Sequence, residues 1–121
     1  MRILVTGGRD YADRDAVFAA LDRVHQTRGI TCVIHGGATG ADALADAWAN
    51  ERSIDTLVFP AKWRDYAAGG ALDRSAGPRR NADMVARGGA DGAVAFPGGA
   101  GTADCVRRCE AAGIKVWRPV S

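Results

Sequence analysis

Five short runs of branched, aromatic or small residues recur along the chain: Ile3–Thr6, Cys32–His35, Thr56–Phe59, Gly92–Phe96 and Ile114–Trp117. Runs this short, without polar alternation, mark strands that are covered on both faces. Between most of them the apolar positions shift to a helical period. Ala16, Val17, Ala20, Leu21 and Val24 form one stripe, and Ala41, Leu44, Ala45 and Trp48 a second. A third helix carries Asn81, Met84 and Val85 and stops near Gly88-Gly89. A fourth carries Thr102, Val106 and Cys109 and stops near Gly113; glycine is the common residue just past a helix end. Strands alternating with helices predict an α/β fold. The expectation is a Rossmann-like, doubly wound, five-stranded and mainly parallel sheet of order 3-2-1-4-5, with helices on both faces. No stretch reads as a linker, so residues 1–121 are expected to form a single domain.

One stretch breaks the alternation. Pro60 to Pro78 has no clear period and is rich in Gly, Ala and charge. It reads either as a long loop of the kind that covers a site or as a segment with a short helix around Arg64–Ala68.

Composition narrows the class. Hydrophobic residues make up 47% and charged residues 25% of the chain, which excludes a disordered polymer, and no apolar run is long enough to span a membrane. The net charge of +2 is too small for a protein that coats nucleic acid by field alone, so any preference for anions must come from local placement. Three cysteines, Cys32, Cys105 and Cys109, make no complete disulfide set. Cys105 and Cys109 are four apart on a helix, but no further Cys or nearby His completes a metal site. They read as small buried residues, and no metal is expected. The chain begins directly in its first strand without a signal-peptide pattern, so the expected location is cytoplasmic and reducing.

Glycine, 16 of 121 residues, is where the chemistry concentrates. The first strand runs into Gly7-Gly8-Arg9. The second runs into Gly36-Gly37-Ala38-Thr39-Gly40-Ala41-Asp42, and the fourth into Pro97-Gly98-Gly99-Ala100-Gly101-Thr102-Ala103-Asp104. Each time a strand ends, a glycine pair follows and a helix starts soon after. In the expected order these turns share the carboxyl edge of the sheet, where open α/β sheets bind ligands. Without Cβ atoms, backbone N–H groups can approach an anion closely, and a helix N-terminus adds partial positive charge. Gly7, Gly8, Gly36, Gly37, Gly40, Gly98, Gly99 and Gly101 therefore form a candidate phosphate cradle, with Thr39 and Thr102 as hydroxyl donors. No GK[ST] follows any of these turns, and Asp104 stands where a G-x-G-x-x-G spacing would need glycine. ATP hydrolysis and a dinucleotide are disfavoured, and no cofactor is expected.

Charged neighbours extend the site. Arg79 and Arg80 stand at the start of the third helix, against the helix dipole. A charge placed against a local rule points to function, so both are candidate phosphate clamps, with Asn81 as a further polar contact. Arg9 either reaches the anion or is a surface residue. Asp42 and Asp104 occupy first helical turns, where a carboxylate gains ~0.3–1 kcal/mol from the dipole alone; contact with a sugar hydroxyl is the alternative. His35 reads as a packed histidine, because no Ser or Cys partner forms a triad in sequence. Trp63 and Tyr66 either stack a base or cover the sheet edge.

At these residues the sequence resembles the SLOG superfamily of Rossmann-like nucleotide-binding domains, most of all its YspA/YpsA-related branch. The resemblance rests on Val5-Thr6-Gly7-Gly8-Arg9-Asp10, Gly36-Gly37-Ala38-Thr39-Gly40-Ala41-Asp42, Ala76-Gly77-Pro78-Arg79-Arg80-Asn81 and Pro97-Gly98-Gly99-Ala100-Gly101-Thr102, and it covers nearly the whole chain. The lonely-guy phosphoribohydrolases of this superfamily split the N-glycosidic bond of nucleoside 5′-monophosphates. Their P-G-G-x-G-T-x-x-E signature ends in a catalytic Glu, where this chain has Cys105 with Asp104 one residue before it. Their catalytic Arg lies in an R-K-x-x-M run, similar to Arg80-Asn81-Ala82-Asp83-Met84. One residue on a helix turns a side chain by about 100°, so Asp104 does not simply stand in for that Glu.

The resemblance implies a binder of a small nucleotide or nucleotide-derived phosphate ester. One alternative is a nucleoside 5′-monophosphate phosphoribohydrolase using Arg80 with Asp104, or Asp42 in its place, as the carboxylate. Another is single-stranded nucleic-acid binding of the DprA type, for which Lys62, Trp63, Arg64 and Tyr66 form the basic-aromatic cluster. The resemblance also leaves room for a homo-oligomer, with Trp117 a candidate for the contact.

Overall fold

The computed structural model describes residues 1–61, 64–65, 71–72 and 75–120. Five strands form one sheet: β1 (Arg2–Thr6), β2 (Cys32–His35), β3 (Asp55–Val58), β6 (Gly92–Ala95) and β7 (Val116–Trp117). Their order is β3-β2-β1-β6-β7, which is 3-2-1-4-5 when this sheet is counted alone, and every pairing in it is parallel. Four helices connect them: α1 (Arg14–Arg28), α2 (Ala41–Glu51), α3 (Ala76–Arg87) and α4 (Ala100–Ala111).

The strand period of two divides the core between two faces. Ile3, Val5, Val33 and Val94 join Val17, Leu21, Ala45 and Trp48 of α1 and α2. Leu4, Cys32, Ile34 and Ala93 join Met84, Cys105 and Cys109 of α3 and α4. The sheet is therefore doubly wound, and the reversal of strand order lies between β1 and β6. The glycine turns after β1, β2 and β6 open at the carboxyl edge on that reversal.

The element bounds depart from the sequence pattern at instructive places. The Ile114 amide donates to the Cys109 carbonyl and closes the end of α4, so the last strand starts at Val116 rather than at Ile114. Helix α3 begins at Ala76, taking Gly77 and Pro78 into its first turn. Proline is at home there because a first-turn N–H has no intrahelical acceptor. Within the aperiodic stretch, β4 (Arg64–Asp65) pairs antiparallel with β5 (Ala71–Leu72), in place of a helix around Arg64–Ala68. Their backbone groups are used across that ladder, not along a helical turn. Lys62, Trp63 and Tyr66 lie outside the described residues. Trp117 is half-buried against the α1 side of the core, with the Arg23 guanidinium 5.8 Å from its ring centroid. Among the described residues, no helix is long and apolar enough to cross a membrane.

Candidate functional site

Hydrogen bonds lace the three glycine turns together. The Gly8 amide donates to the Pro97 carbonyl at 2.9 Å, joining the turns after β1 and β6. The Gly8 carbonyl accepts from Ala41 N at 3.1 Å, and the Thr39 hydroxyl donates to the Arg9 carbonyl at 2.9 Å, joining the turns after β1 and β2. Helix α3 is tied in from the side: Arg80 Nη1 donates to the Gly36 carbonyl at 2.7 Å, and Asn81 Nδ2 donates to the Gly101 carbonyl at 3.2 Å.

These ties enclose a cavity of about 480 Å³ at the sheet edge. Of the residues singled out in the sequence, Gly7, Gly8, Arg9, Asp42, Arg80, Asn81, Gly99, Gly101, Thr102 and Asp104 line it. Gly36, Gly37, Thr39, Gly40 and Gly98 hold the surrounding turns without lining it. Arg79 borders a separate depression with Pro60 and Asp83. Thr6, Asp10, Pro78 and Met84, which stand in the sequence motifs without a site role, also line the cavity. Met84 follows Arg80 by one helical turn and so shares its face, a signal that was available in the spacing.

The glycines divide into two kinds. Gly40 has φ +75°, and a Cβ on it would run into the Gly8 carbonyl. A Cβ at Gly98 would meet the Thr102 side chain and the Gly8 amide, and one at Gly36 would meet the Arg80 guanidinium. These positions are glycine because the protein itself occupies the space. At Gly99 and Gly101 a Cβ would meet nothing within 4 Å among the described residues. Their bareness serves no packing against those residues; it leaves the backbone open to the cavity.

The N-termini of α2 and α4 also differ. In α2 the Ala41 amide is taken by Gly8, and the Asp42 carboxylate turns back to the preceding loop. Its Oδ2 accepts from the amides of Gly36 at 3.1 Å and Ala38 at 3.2 Å. The Gly37 amide donates to His35 Nδ1 at 2.9 Å. Since Nδ1 accepts there, neutral His35 carries its proton on Nε2 and gives it to Asp46 at 2.8 Å. The turn after β2 is thus filled by its own side chains. In α4 no side chain among the described residues caps the N-terminus, and no acidic residue stands in the first turn. The first intrahelical bond runs from Ala103 N to the Gly99 carbonyl. The amides of Ala100, Gly101 and Thr102 come before it, at the positive end of the helix dipole.

The charged side chains are sorted by their partners. Arg80 Nε donates to Asn81 Oδ1 at 2.9 Å and Nη1 to Gly36, while Nη2 has no acceptor among the described residues. Asp104 accepts from Asn81 Nδ2, Arg107 and Arg108 at 2.9–3.0 Å. Burial works to raise its carboxyl, but Asn81 and Arg108 outweigh that and hold it below the usual carboxylate range. Asp42 shows the opposite balance. It is only 6% exposed, and burial pushes its carboxyl up against the opposing pull of the Ala38 amide and Arg80. Cys105, at the position of the lonely-guy Glu, is fully buried and free. Cys109 and burial push its thiol up, which keeps it protonated.

A doubly wound parallel sheet with a glycine-lined crevice at its reversal point defines a Rossmann-like α/β protein. The chain belongs to the YspA, cpYpsA-related SLOG family (YAcAr), whose model matches residues 1–66. It is 43% identical to the Gene 61 protein of Mycobacterium phage D29 over 95% of this chain and 93% of that one. Among solved structures it is similar to Acinetobacter baumannii MurG, with a TM-score of 0.64 at 10% identity. That likeness covers 97% of this chain but 34% of MurG, so the chain spans about a third of that protein, and at this identity the likeness speaks to the fold.

Proposed function

We propose that the chain binds a nucleotide or nucleotide-derived phosphate ester in the crevice at the carboxyl edge of its sheet. The phosphate oxygens lie on the first-turn amides of α4, at Ala100, Gly101 and Thr102, with the Thr102 hydroxyl and the Arg80 guanidinium beside them. The observation that carries this reading is the bare N-terminus of α4 on the cavity, uncapped by any described side chain, where Gly99 and Gly101 leave room that no described residue uses. Four donors and a helix dipole suit an anion, and a guanidinium end without a described acceptor suits a phosphate. The cavity is far larger than a phosphate group, which supports an ester with a substantial body. Membership of the SLOG family supports a nucleotide-related ligand.

Hydrolysis by an Arg80–Asp104 pair receives little support from this geometry. Asp104 is neutralised by two arginines and held by Asn81, so it is poorly suited to stabilise a developing positive charge on a sugar. A thermal-shift series with nucleoside monophosphates, cyclic nucleotides and ADP-ribose tests the binding reading. Stabilisation by at least one phosphate ester is expected; no shift with any of them at millimolar concentration would count against it.

A further inference from the structure

Resting on that reading, we propose that Asp42 is a specificity-determining residue: it makes the cavity select phosphate esters whose sugar carries free hydroxyl groups. An ionised carboxylate only accepts hydrogen bonds, and its two oxygens offer about four sites. In Asp42 both described donors, Gly36 N and Ala38 N, go to Oδ2. Oδ1 accepts from no described residue. Yet the side chain lines the cavity and is more than nine-tenths buried. Oδ1 is not sealed off, since Tyr11 Oη is the fully enclosed side-chain atom without a partner among the described residues; it opens onto the cavity, where a ligand donor can take the place of water.

The same cavity holds the α4 amides and the Arg80 guanidinium. Its ligand therefore meets donors at one place and an acceptor-only group at another. A phosphate satisfies the first and hydroxyl hydrogens satisfy the second; a phosphorylated sugar carries both on one small frame. A further anionic group at Asp42 would be repelled. The other carboxylate on the wall that is not exposed, Asp104, is already filled by Asn81, Arg107 and Arg108, which leaves Asp42 as the reader of hydroxyls. A site built to hydrogen-bond a hydroxyl discriminates strongly against the analogue lacking it, because its own buried group is then left unpaired.

The test is calorimetric titration of the full chain with AMP, GMP, CMP and UMP. The tightest of these is then compared with its 2′-deoxy and 2′,3′-dideoxy counterparts, for the wild type and for Asp42→Asn. The wild type is expected to lose tenfold or more in affinity on going to the dideoxy ester. Asp42→Asn is expected to bind the ribonucleotide at least tenfold more weakly and to treat the two esters alike. If the wild type binds both esters within twofold, or if Asp42→Asn keeps the wild-type preference, Asp42 does not read the hydroxyls and this inference falls while phosphate-ester binding stands. If the wild type binds none of the monophosphates, this inference falls, while the binding reading is decided by the wider thermal-shift series. The wild-type ligand series decides the matter even if Asp42→Asn fails to fold.

Discussion

Arg80 Nη1 donates to the Gly36 carbonyl at 2.7 Å, which fastens the first turns of α3 to the loop after β2 and points a cation along the wall of the crevice. The bond explains an arginine placed against the dipole of its own helix: a carbonyl across the crevice and Asn81 Oδ1 hold the guanidinium. Replacing Arg80 by Ala should weaken phosphate-ester binding by about 1.5–3 kcal/mol, the scale of a charge-assisted hydrogen bond. Arg80→Lys should recover little, because one ammonium does not reproduce a fork that bonds through Nε and Nη1 together. Titration of both variants checks this, and wild-type affinity in Arg80→Ala would remove the residue from the site.

Two glycine substitutions should separate support from site. Gly40→Ala forces a positive φ on a side chain and drives its Cβ into the Gly8 carbonyl; backbone strain alone should cost about 1–3 kcal/mol, read by urea denaturation. Gly99→Val meets open space, so stability should stay within about 1 kcal/mol of wild type. Ligand binding should nonetheless be lost, because a branched side chain then covers the first-turn amides. Unchanged affinity in Gly99→Val would clear that position of any role.

Asp104 and Asp42, the carboxylates of the cavity wall that are not exposed, predict opposite pH dependences. Asp104 is held below its ordinary range by Asn81 and Arg108, against burial. Its contribution to stability is present above the unfolded carboxylate pKa of ~3.9 and is lost as pH falls through the lower folded value. Asp104→Asn should therefore be less stable than wild type at pH 7, with the gap closing in acid. Asp42 is raised by burial, so its contribution is fully present below the unfolded pKa and lost as pH rises through the folded one. Asp42→Asn should be at least as stable as wild type at pH 7, the mark of a residue kept for function at a cost in stability. Melting temperatures of the three proteins between pH 3 and 8 check both signs; a Tm for Asp42→Asn several degrees below wild type at pH 7 would contradict the second.

Asn81 should behave as a strut. It bonds Arg80 through Oδ1 and both Gly101 and Asp104 through Nδ2, and it is almost fully buried. Asn81→Ala leaves those partners short of a bond and should cost about 1–3 kcal/mol of stability together with affinity. Asn81→Asp should not rescue it, since a carboxylate would face Asp104 and the Gly101 carbonyl. Denaturation and titration of both variants test the assignment.

The sheet order was legible because five unalternated apolar runs separated by helical stripes have few right-handed windings. The start of β7 was not, since the pattern around Ile114 does not reveal that its amide closes α4. The glycine turns were legible as a group and not as individuals. Gly40 and Gly99 look alike in sequence; only the packed neighbours show that one makes room for Gly8 and the other for none of the described residues. Likewise Asp42 and Asp104 both read as first-turn carboxylates. What distinguishes them is the fourth-helix arginines around one and the open Oδ1 of the other, contacts between side chains that no period encodes.

The most direct measurement is a ¹⁵N-resolved amide spectrum of the chain titrated with a nucleoside monophosphate. Saturable shifts are expected to be largest at Ala100, Gly101 and Thr102, with the amides of Gly36 and Ala38, already held by Asp42, moving much less. Saturable binding that shifts other amides and leaves the start of α4 unmoved would contradict the proposed site.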